Sequence, residues 1–163
     1  MVLGGFLSRL WWGGDPDEKD PFSGMSRRDI YLVQKSWTRI YAEAPKHGHL
    51  IFARLFQKDP ITKTFFKYLS SVSEEELPKN NSFKAHVVFI MSSLNAAVEN
   101  LTSPEVVAPL MVKLGRSHHR IHIQRVHFME LREVLVDILI NDLKFGDDIV
   151  QAWGRFVDFI YKH

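Results

Sequence analysis

Two of the eight histidines in this 163-residue chain lie where an imidazole could bind a ligand. Apolar residues recur every three or four positions over 82–101 and form one helical stripe. His86 lies at the edge of this stripe, about 60° from its centre at 100° per residue. His118 follows Leu114 by four residues and shares its predicted apolar face, whereas His119 is rotated by about 100°. A lone histidine at a core edge usually hydrogen-bonds to a backbone carbonyl, but two on separate apolar faces indicate a shared site.

Two antiparallel helices joined by a loop would bring these imidazoles to opposite sides of a flat apolar object. Haem needs such a slot, with imidazole nitrogen at the iron and hydrocarbon against both faces. The residues also allow a second interpretation, a zinc site without haem, because an i, i+4 pair such as His118 and His122 can bind zinc. The histidines involved crowd into ten residues and are His118, His119, His122 and His127. No fourth protein ligand is evident, so haem is favoured.

Helix-start signals follow one another from Ser26 onward and predict an all-α fold of seven or eight helices. Ser26 and Asp29 form a variant of the capping box. Prolines at positions 45, 60 and 104 suit the first turns of later helices. Long apolar stripes over 82–101 and 124–144 predict two long helices, and no segment alternates apolar and polar residues as a strand would.

Two predicted helix boundaries depend on single residues. Proline inside a helix removes one hydrogen bond, so we expect Pro109 to break or re-open the helix that leads to 110–118. Gly146 is predicted to terminate the helix over 124–144. Asp147 or Asp148 is then expected to cap a last helix that runs to Tyr161.

The composition predicts one globular domain, with 45% hydrophobic and 25% charged residues. Lysine and arginine number 21 against 19 acidic residues and are scattered, so a nucleic-acid partner is not expected. The absence of cysteine excludes disulfides, thiolate catalysis, thiolate metal sites and thioether attachment of haem. It fits a reducing compartment, and we expect the cytoplasm. No segment reaches the roughly 18 to 20 apolar residues that span a bilayer.

Residues 1–25 are predicted to form a flexible N-terminal extension to a domain over 26–163. Glycine and proline punctuate this segment, which is too short to fold alone. Its apolar residues Phe6, Leu7, Leu10, Trp11 and Trp12 leave an interfacial or self-docking role open. Membrane contact is not the favoured interpretation, because neither a signal peptide nor an N-terminal acylation motif is present.

The residues from Ser26 to His163 resemble the globin family, most closely its neuroglobin-type animal members. Five motifs in the expected order carry the resemblance: Trp37 in the first helix, Phe56-Gln-Lys-Asp-Pro60 with Phe66, Phe83-Lys-Ala-His86 at the distal position, Leu114-Gly-Arg-Ser-His118 at the proximal position, and Ala152-Trp153 in the last helix. The implied fold is a three-on-three helical sandwich. Two features depart from the family: the last helix looks short, as in a truncated chain, and the neuroglobin cysteine pair is missing.

The resemblance also implies the residues of the site. Non-covalent haem b would be held by His118 as the proximal iron ligand, with His86 as the distal histidine and sixth ligand. Ser117 would hold His118 by a hydrogen bond, and His122 would face a haem propionate, whereas His127 is expected at the surface. The other implied haem contacts are Phe52, Phe66, Tyr68, Ile90, Leu114, Ile123 and Phe128.

The function implied by the resemblance is reversible binding of O₂, CO or NO. A bis-histidyl resting haem suits a redox, NO-scavenging or sensing role with a reductase partner. We do not expect a dedicated enzyme, although NO dioxygenase or nitrite reductase side activity is compatible with such a site. The alternatives are a five-coordinate globin for O₂ storage or transport, and an interaction or sensor domain that has lost haem.

Overall fold

The computed structural model describes residues 9–163; residues 9–12 are helical, and from Arg27 onward the chain forms seven α-helices. They are α1 (Arg27–Tyr41), α2 (Ala44–Lys58), α3 (Ile61–Thr64), α4 (Asn81–Glu99), α5 (Pro104–His119), α6 (Arg125–Asp137) and α7 (Asp147–Lys162). Short 3₁₀ turns at Lys67–Leu69 and Leu77–Lys79 connect α3 to α4, and a π-helical turn at Ile138–Asp142 continues α6. The described residues contain no strand, only an isolated bridge between Lys19 and Ser26. The all-α prediction is confirmed.

The start of α1 follows the predicted capping box. The Ser26 hydroxyl accepts a hydrogen bond from the Asp29 backbone N–H at 3.1 Å, and the Asp29 carboxylate accepts one from the Ser26 N–H at 2.9 Å. Two backbone donors that a helix leaves unpaired at its first turn are thereby satisfied. This fixed start places Val33, Trp37 and Ile40 on the buried face of α1.

The two helix boundaries that depended on single residues are wrong. Pro109 lies inside α5, which continues through it because buried Val107, Ala108 and Met111 on either side hold the helix to the core. Gly146 does not end the preceding helix; it is the extended N-cap of α7. Lys144 ends that helix instead, with a left-handed φ of 54°, as the Phe145 N–H donates to the Leu139 carbonyl at 3.0 Å.

One continuous hydrophobic core joins the helices. α1 packs on α7, and α2 packs on α4 and α6. Phe83, Met91, Val98 and Phe156 are among its fully buried side chains. Because α4 and α2 share this core, the face of α4 that carries His86 is held opposite the aromatic residues of α2.

The segment before α1 contacts that helix. Met25 is buried, the Arg28 guanidinium pairs with Asp17 at 2.7 Å, and the ring of Trp12 meets Tyr31 edge-on at 5.4 Å between centroids. The predicted flexibility of the extension stays a prediction, and Phe6 and Leu7 lie outside the described residues. Among residues 9–163 no helix has the length and apolar character needed to cross a membrane.

A buried ion pair ties the start of α1 to α7. Arg155 donates from Nε and Nη2 to the Asp29 carboxylate at 2.9 and 2.8 Å. Burial alone would raise the pKa of Asp29, but the hydrogen bonds from Arg155 and from the Ser26 backbone outweigh it and hold that pKa below its ordinary value. A carboxylate with a lowered pKa stabilises the fold at neutral pH and loses that contribution in acid.

We therefore expect Asp29→Asn to lower the free energy of unfolding by about 2 kcal/mol at pH 7, because the amide replaces a charged acceptor of bonds from Arg155. The difference in free energy of unfolding between the variant and the wild type should shrink in acid. It should begin to fall near pH 3.9, about the ordinary pKa of aspartate, and continue to fall through the lower folded-state pKa of Asp29. Urea unfolding followed by circular dichroism at several pH values measures this. Asp17→Asn is the matched control, because its ion pair with Arg28 is exposed and should contribute nothing measurable.

Candidate haem-binding site

An apolar cleft opens between α2, α4, α5 and α6. Eight of the eleven predicted site residues line it: Phe52, Phe66, His86, Ile90, Leu114, His118, Ile123 and Phe128. The structure therefore brings together the two histidines and most of the apolar contacts that the sequence indicated.

His86 reaches the cleft from α4, between two phenylalanine rings. Its ring meets Phe52 and Phe66 edge-on, at 5.0 and 4.8 Å between centroids. The pKa of His86 is lowered, mainly because burial disfavours the charged imidazolium and also because His118 repels it. The neutral ring keeps a nitrogen lone pair, which is the form that ligates a metal.

His118 reaches the same cleft from α5, and its tautomer follows from its hydrogen bond. The Nδ1 atom lies 2.9 Å from the Leu114 carbonyl oxygen, which can only accept. Nδ1 therefore carries a proton, which leaves Nε2 as the nitrogen that can bind a ligand. This backbone bond fixes the ring in the way that protein-bound imidazole ligands are usually fixed. Phe128 packs beside it, at 5.4 Å between ring centroids.

The chemistry of the lining fits a haem. Apart from the histidines, the polar side chains along the cleft are Thr62, Ser93 and Tyr161, and no acidic or basic residue takes part. Two imidazoles from different helices enter this apolar slot, which suits an iron porphyrin with hydrocarbon against its faces and an imidazole at the metal. Zinc fits less well: within residues 9–163, no group of three or more His, Cys, Asp or Glu side chains is arranged to hold a metal ion.

Ser117 does not hold His118. Its side chain is exposed, and its hydroxyl donates to the Lys113 carbonyl at 3.1 Å. A serine inside a helix often bonds the carbonyl four residues back, so the predicted hydrogen bond is wrong. The Leu114 carbonyl performs this role instead.

Tyr68 and His122 also lie outside the cleft lining. Tyr68 follows the turn after α3, is 51% exposed, and touches only the edge of Phe66, at 6.4 Å between centroids. His122 is exposed in the tight turn after α5, with a left-handed φ of 64°. Both residues were predicted as haem contacts from their positions relative to the globin motifs. Such positions do not determine how a connecting turn is oriented.

Four polar residues of the cleft were missed, namely Thr62, Ser93, His127 and Tyr161. Tyr161 of α7 lines it, and burial raises the pKa of its phenol. His127 was expected at the surface but is half-buried against Phe65, at 4.8 Å between ring centroids. Its Nδ1 accepts a hydrogen bond from the Gln124 N–H at 3.0 Å, so it also caps α6. The helical spacing of Tyr161 from Val157 was the available signal for its inward direction.

Comparisons with known proteins agree with this geometry. The sequence model of the family described as Globin matches residues 49–163. Neuroglobin of Dissostichus mawsoni is 30% identical over 132 residues, covering 79% of this chain and 83% of the relative. Cytoglobin-2 of Danio rerio is 26% identical over 136 residues, covering 81% and 76%.

Solved structures share the fold. The hexa-coordinate hemoglobin of Drosophila melanogaster superposes with a TM-score of 0.80 at 23% identity, covering 85% of this chain and 92% of that one. A hexacoordinated haem protein from an anhydrobiotic tardigrade gives 0.79 at 18% identity, covering 88% and 95%. The predicted globin fold is confirmed. Since the family match extends over more than half of the sequence, the chain belongs to the globin family of haem proteins that bind small gaseous ligands, and neuroglobins and cytoglobins are among its relatives.

Proposed function

We propose that this globin holds haem b with both His118 and His86 as iron ligands, so that its resting haem is six-coordinate. A ligand such as O₂, CO or NO must then compete with His86 for the iron. Such a site suits a redox, NO-scavenging or sensing role better than bulk O₂ storage. Bound haem supplies an iron that exchanges one electron and takes a diatomic ligand.

The observation that carries the proposal is the pair of imidazoles in one apolar cleft. His118 is fixed by the Leu114 carbonyl, and His86 lies close enough to it for the charge of one ring to affect the other. Hexa-coordination in the Drosophila and tardigrade proteins, which share this fold, supports the same arrangement here. The absence of cysteine supports non-covalent haem b over c-type haem, because thioether bonds cannot form.

The residues around His86 favour its own ligation over stabilisation of bound O₂. Phe52 and Phe66, which flank it, offer no hydrogen bond to a ligand. Between these two rings, the His86 imidazole is the group with a nitrogen lone pair. The burial that lowers its pKa keeps it neutral and able to bind iron. The free-energy balance is close, because the bond must offset any movement of α4.

The test is the absorption spectrum of the deoxy-ferrous protein. We expect the sharp paired visible bands of a low-spin haem, and we expect His86→Leu to convert them to one broad band. That variant should also bind CO in a single fast phase, because no histidine has to leave first. His119→Leu is the matched control, since its side chain is exposed, and should keep the paired bands. A broad band in the wild type would show a five-coordinate O₂-type globin.

A further inference from the structure

The segment 106–129, around His118, has an unusual charge pattern. It contains four basic residues (Lys113, Arg116, Arg120 and Arg125) and four histidines, but no aspartate or glutamate. The rest of the chain has 17 basic and 19 acidic residues, a net charge of −2, whereas this segment contributes +4. Lysine and arginine are only slightly denser here, 4 in 24 residues against 17 in the other 139, so the distinguishing feature is that acidic residues are missing.

The structure places these charges on both sides of one helix end. Lys113, Arg116 and Arg120 are exposed and line a shallow groove along the outer side of α5. His119 and Arg125 line a second groove, which also contains His118. We call these five side chains, Lys113, Arg116, His119, Arg120 and Arg125, the basic rim.

The charges of the rim are not neutralised within the described protein. None of its lysine and arginine side chains forms a salt bridge with any residue from 9 to 163, whereas Arg28, Arg54, Arg132 and Arg155 each pair with an aspartate. A cluster of exposed like charges gives a positive potential that attracts an oppositely charged surface from a distance.

We propose that the basic rim is the docking surface for an acidic one-electron donor protein. The inference rests on the proposed function, since it concerns reduction of the iron held at His118. In the step, the reduced cofactor of the donor loses one electron and the ferric iron gains it, while no bond forms or breaks. A donor on the rim sits over the residues directly beside His118 in sequence and over the groove that His118 itself lines, so the electron has a short path.

The form of the rim favours a protein over a small anion or a membrane. Its cations are exposed and divided between two grooves, whereas a small anion needs donors that converge in one pocket. A membrane surface favours exposed aromatic anchors. Phe128, the only Phe, Tyr or Trp in 106–129, is instead half-buried against His118. Electrostatic docking of acidic and basic faces raises the rate of encounter, which suits a transient electron-transfer complex.

The experiment is stopped-flow reduction of the ferric haem-loaded protein by reduced plant-type ferredoxin, an acidic iron–sulfur protein. At low salt we expect Arg116→Glu with Arg120→Glu to lower the second-order rate constant by at least about tenfold. High salt should slow the wild type toward the same rate. Arg116→Lys with Arg120→Lys, which keeps both charges, should retain most of the rate. The matched control is Lys19→Glu with Lys79→Glu, since both lysines are exposed outside the rim, neither forms a salt bridge with any residue from 9 to 163, and the charge change is the same.

Small reductants and vesicles separate the other outcomes. Reduced lumiflavin, which lacks the phosphate group of FMN, should reduce both double glutamate variants at the wild-type rate. The proposal is overturned if the rate constant with ferredoxin does not depend on salt concentration. It is overturned as well if the control variant loses as much of that rate constant as the rim variant does. A small-anion site would overturn it: reduction by reduced FMN, which carries a phosphate, would then slow as much in the rim variant as reduction by ferredoxin does. A membrane site would also overturn it: the rim variant would then lose binding to phosphatidylserine vesicles but keep its rate with ferredoxin. Failure of the coordination proposal would appear separately, as a broad-band deoxy spectrum with normal ferredoxin kinetics.

Discussion

Replacing His118 with alanine is expected to abolish stable haem retention. The substitution removes the imidazole that the Leu114 carbonyl holds in its ligating tautomer. His86 would remain as the only imidazole of the pair, on a helix that has to move to bind the iron alone. Purified His118→Ala protein should therefore lack the haem absorption band, or lose it on gel filtration against apomyoglobin as a haem acceptor. Added imidazole should restore part of the band, because the deleted ring leaves a space of its own shape.

His119→Ala is the matched control for this variant. His119 is adjacent in sequence but exposed, and it lies along a groove outside the cleft. It should keep its haem under the same conditions. If His118→Ala instead retains a haem, the double variant His118→Ala with His119→Ala tests whether His119 has taken over. An unchanged ferrous spectrum in His118→Ala would contradict the assignment of the proximal ligand.

The directions of the two histidines could be predicted because a helix has a fixed angular step. At 100° per residue, His118 shares a face with Leu114 and His119 does not, and the structure places one in the cleft and the other in solvent. The start of α1 could be predicted for a similar reason, because the Ser26 capping box involves residues only three apart in sequence. Inferences of this kind need no knowledge of how the helices pack.

Features that depend on packing could not be predicted in the same way. Pro109 is tolerated inside α5 because buried neighbours hold the helix on both sides of it. Lys144 takes the left-handed turn that a glycine was expected to take, because the hydrogen bond from Phe145 to Leu139 closes the π-helical end of α6. Tyr161 contributes to the cleft only because α7 crosses behind α6. A sequence pattern predicts which face of a helix is buried, but not which element that face packs against.

The basic rim is a third case. The charge pattern was visible in the sequence, but its significance depended on where the side chains lie in the fold. The total charge of +2 with scattered basic residues pointed away from a nucleic-acid partner. The absence of acidic residues over 106–129 gains significance only once these cations are placed in two grooves on either side of the helix end that carries His118. Local charge asymmetry beside a redox site affects encounter rates even when net charge is small.

Gly48→Val is expected to destabilise the fold by about 3 kcal/mol, the upper part of the usual range for overpacking. Gly48 lies where α2 crosses α4, and a Cβ atom there would be 2.5 Å from Val87 Cγ1 and 3.0 Å from Met91 Cγ. Met91 is flexible, but Val87 is buried and, being β-branched in a helix, has one strongly preferred rotamer. The helices must therefore separate. Gly48→Ala should cost less, about 1 kcal/mol, because the better helix propensity of alanine offsets part of the clash.

Gly115→Ala is the matched control, since it makes the same chemical change in α5, where a Cβ would meet nothing within 4 Å. It should raise the free energy of unfolding by about 0.5 to 1 kcal/mol, because only helix propensity changes. Urea unfolding followed by circular dichroism gives the three values. Opposite signs for the two alanine variants would identify the contact with Val87 as the cause. A stabilising Gly48→Ala would mean that α4 can move away freely, and His86, the neighbour of Val87, would then not be held at a fixed distance from Phe52.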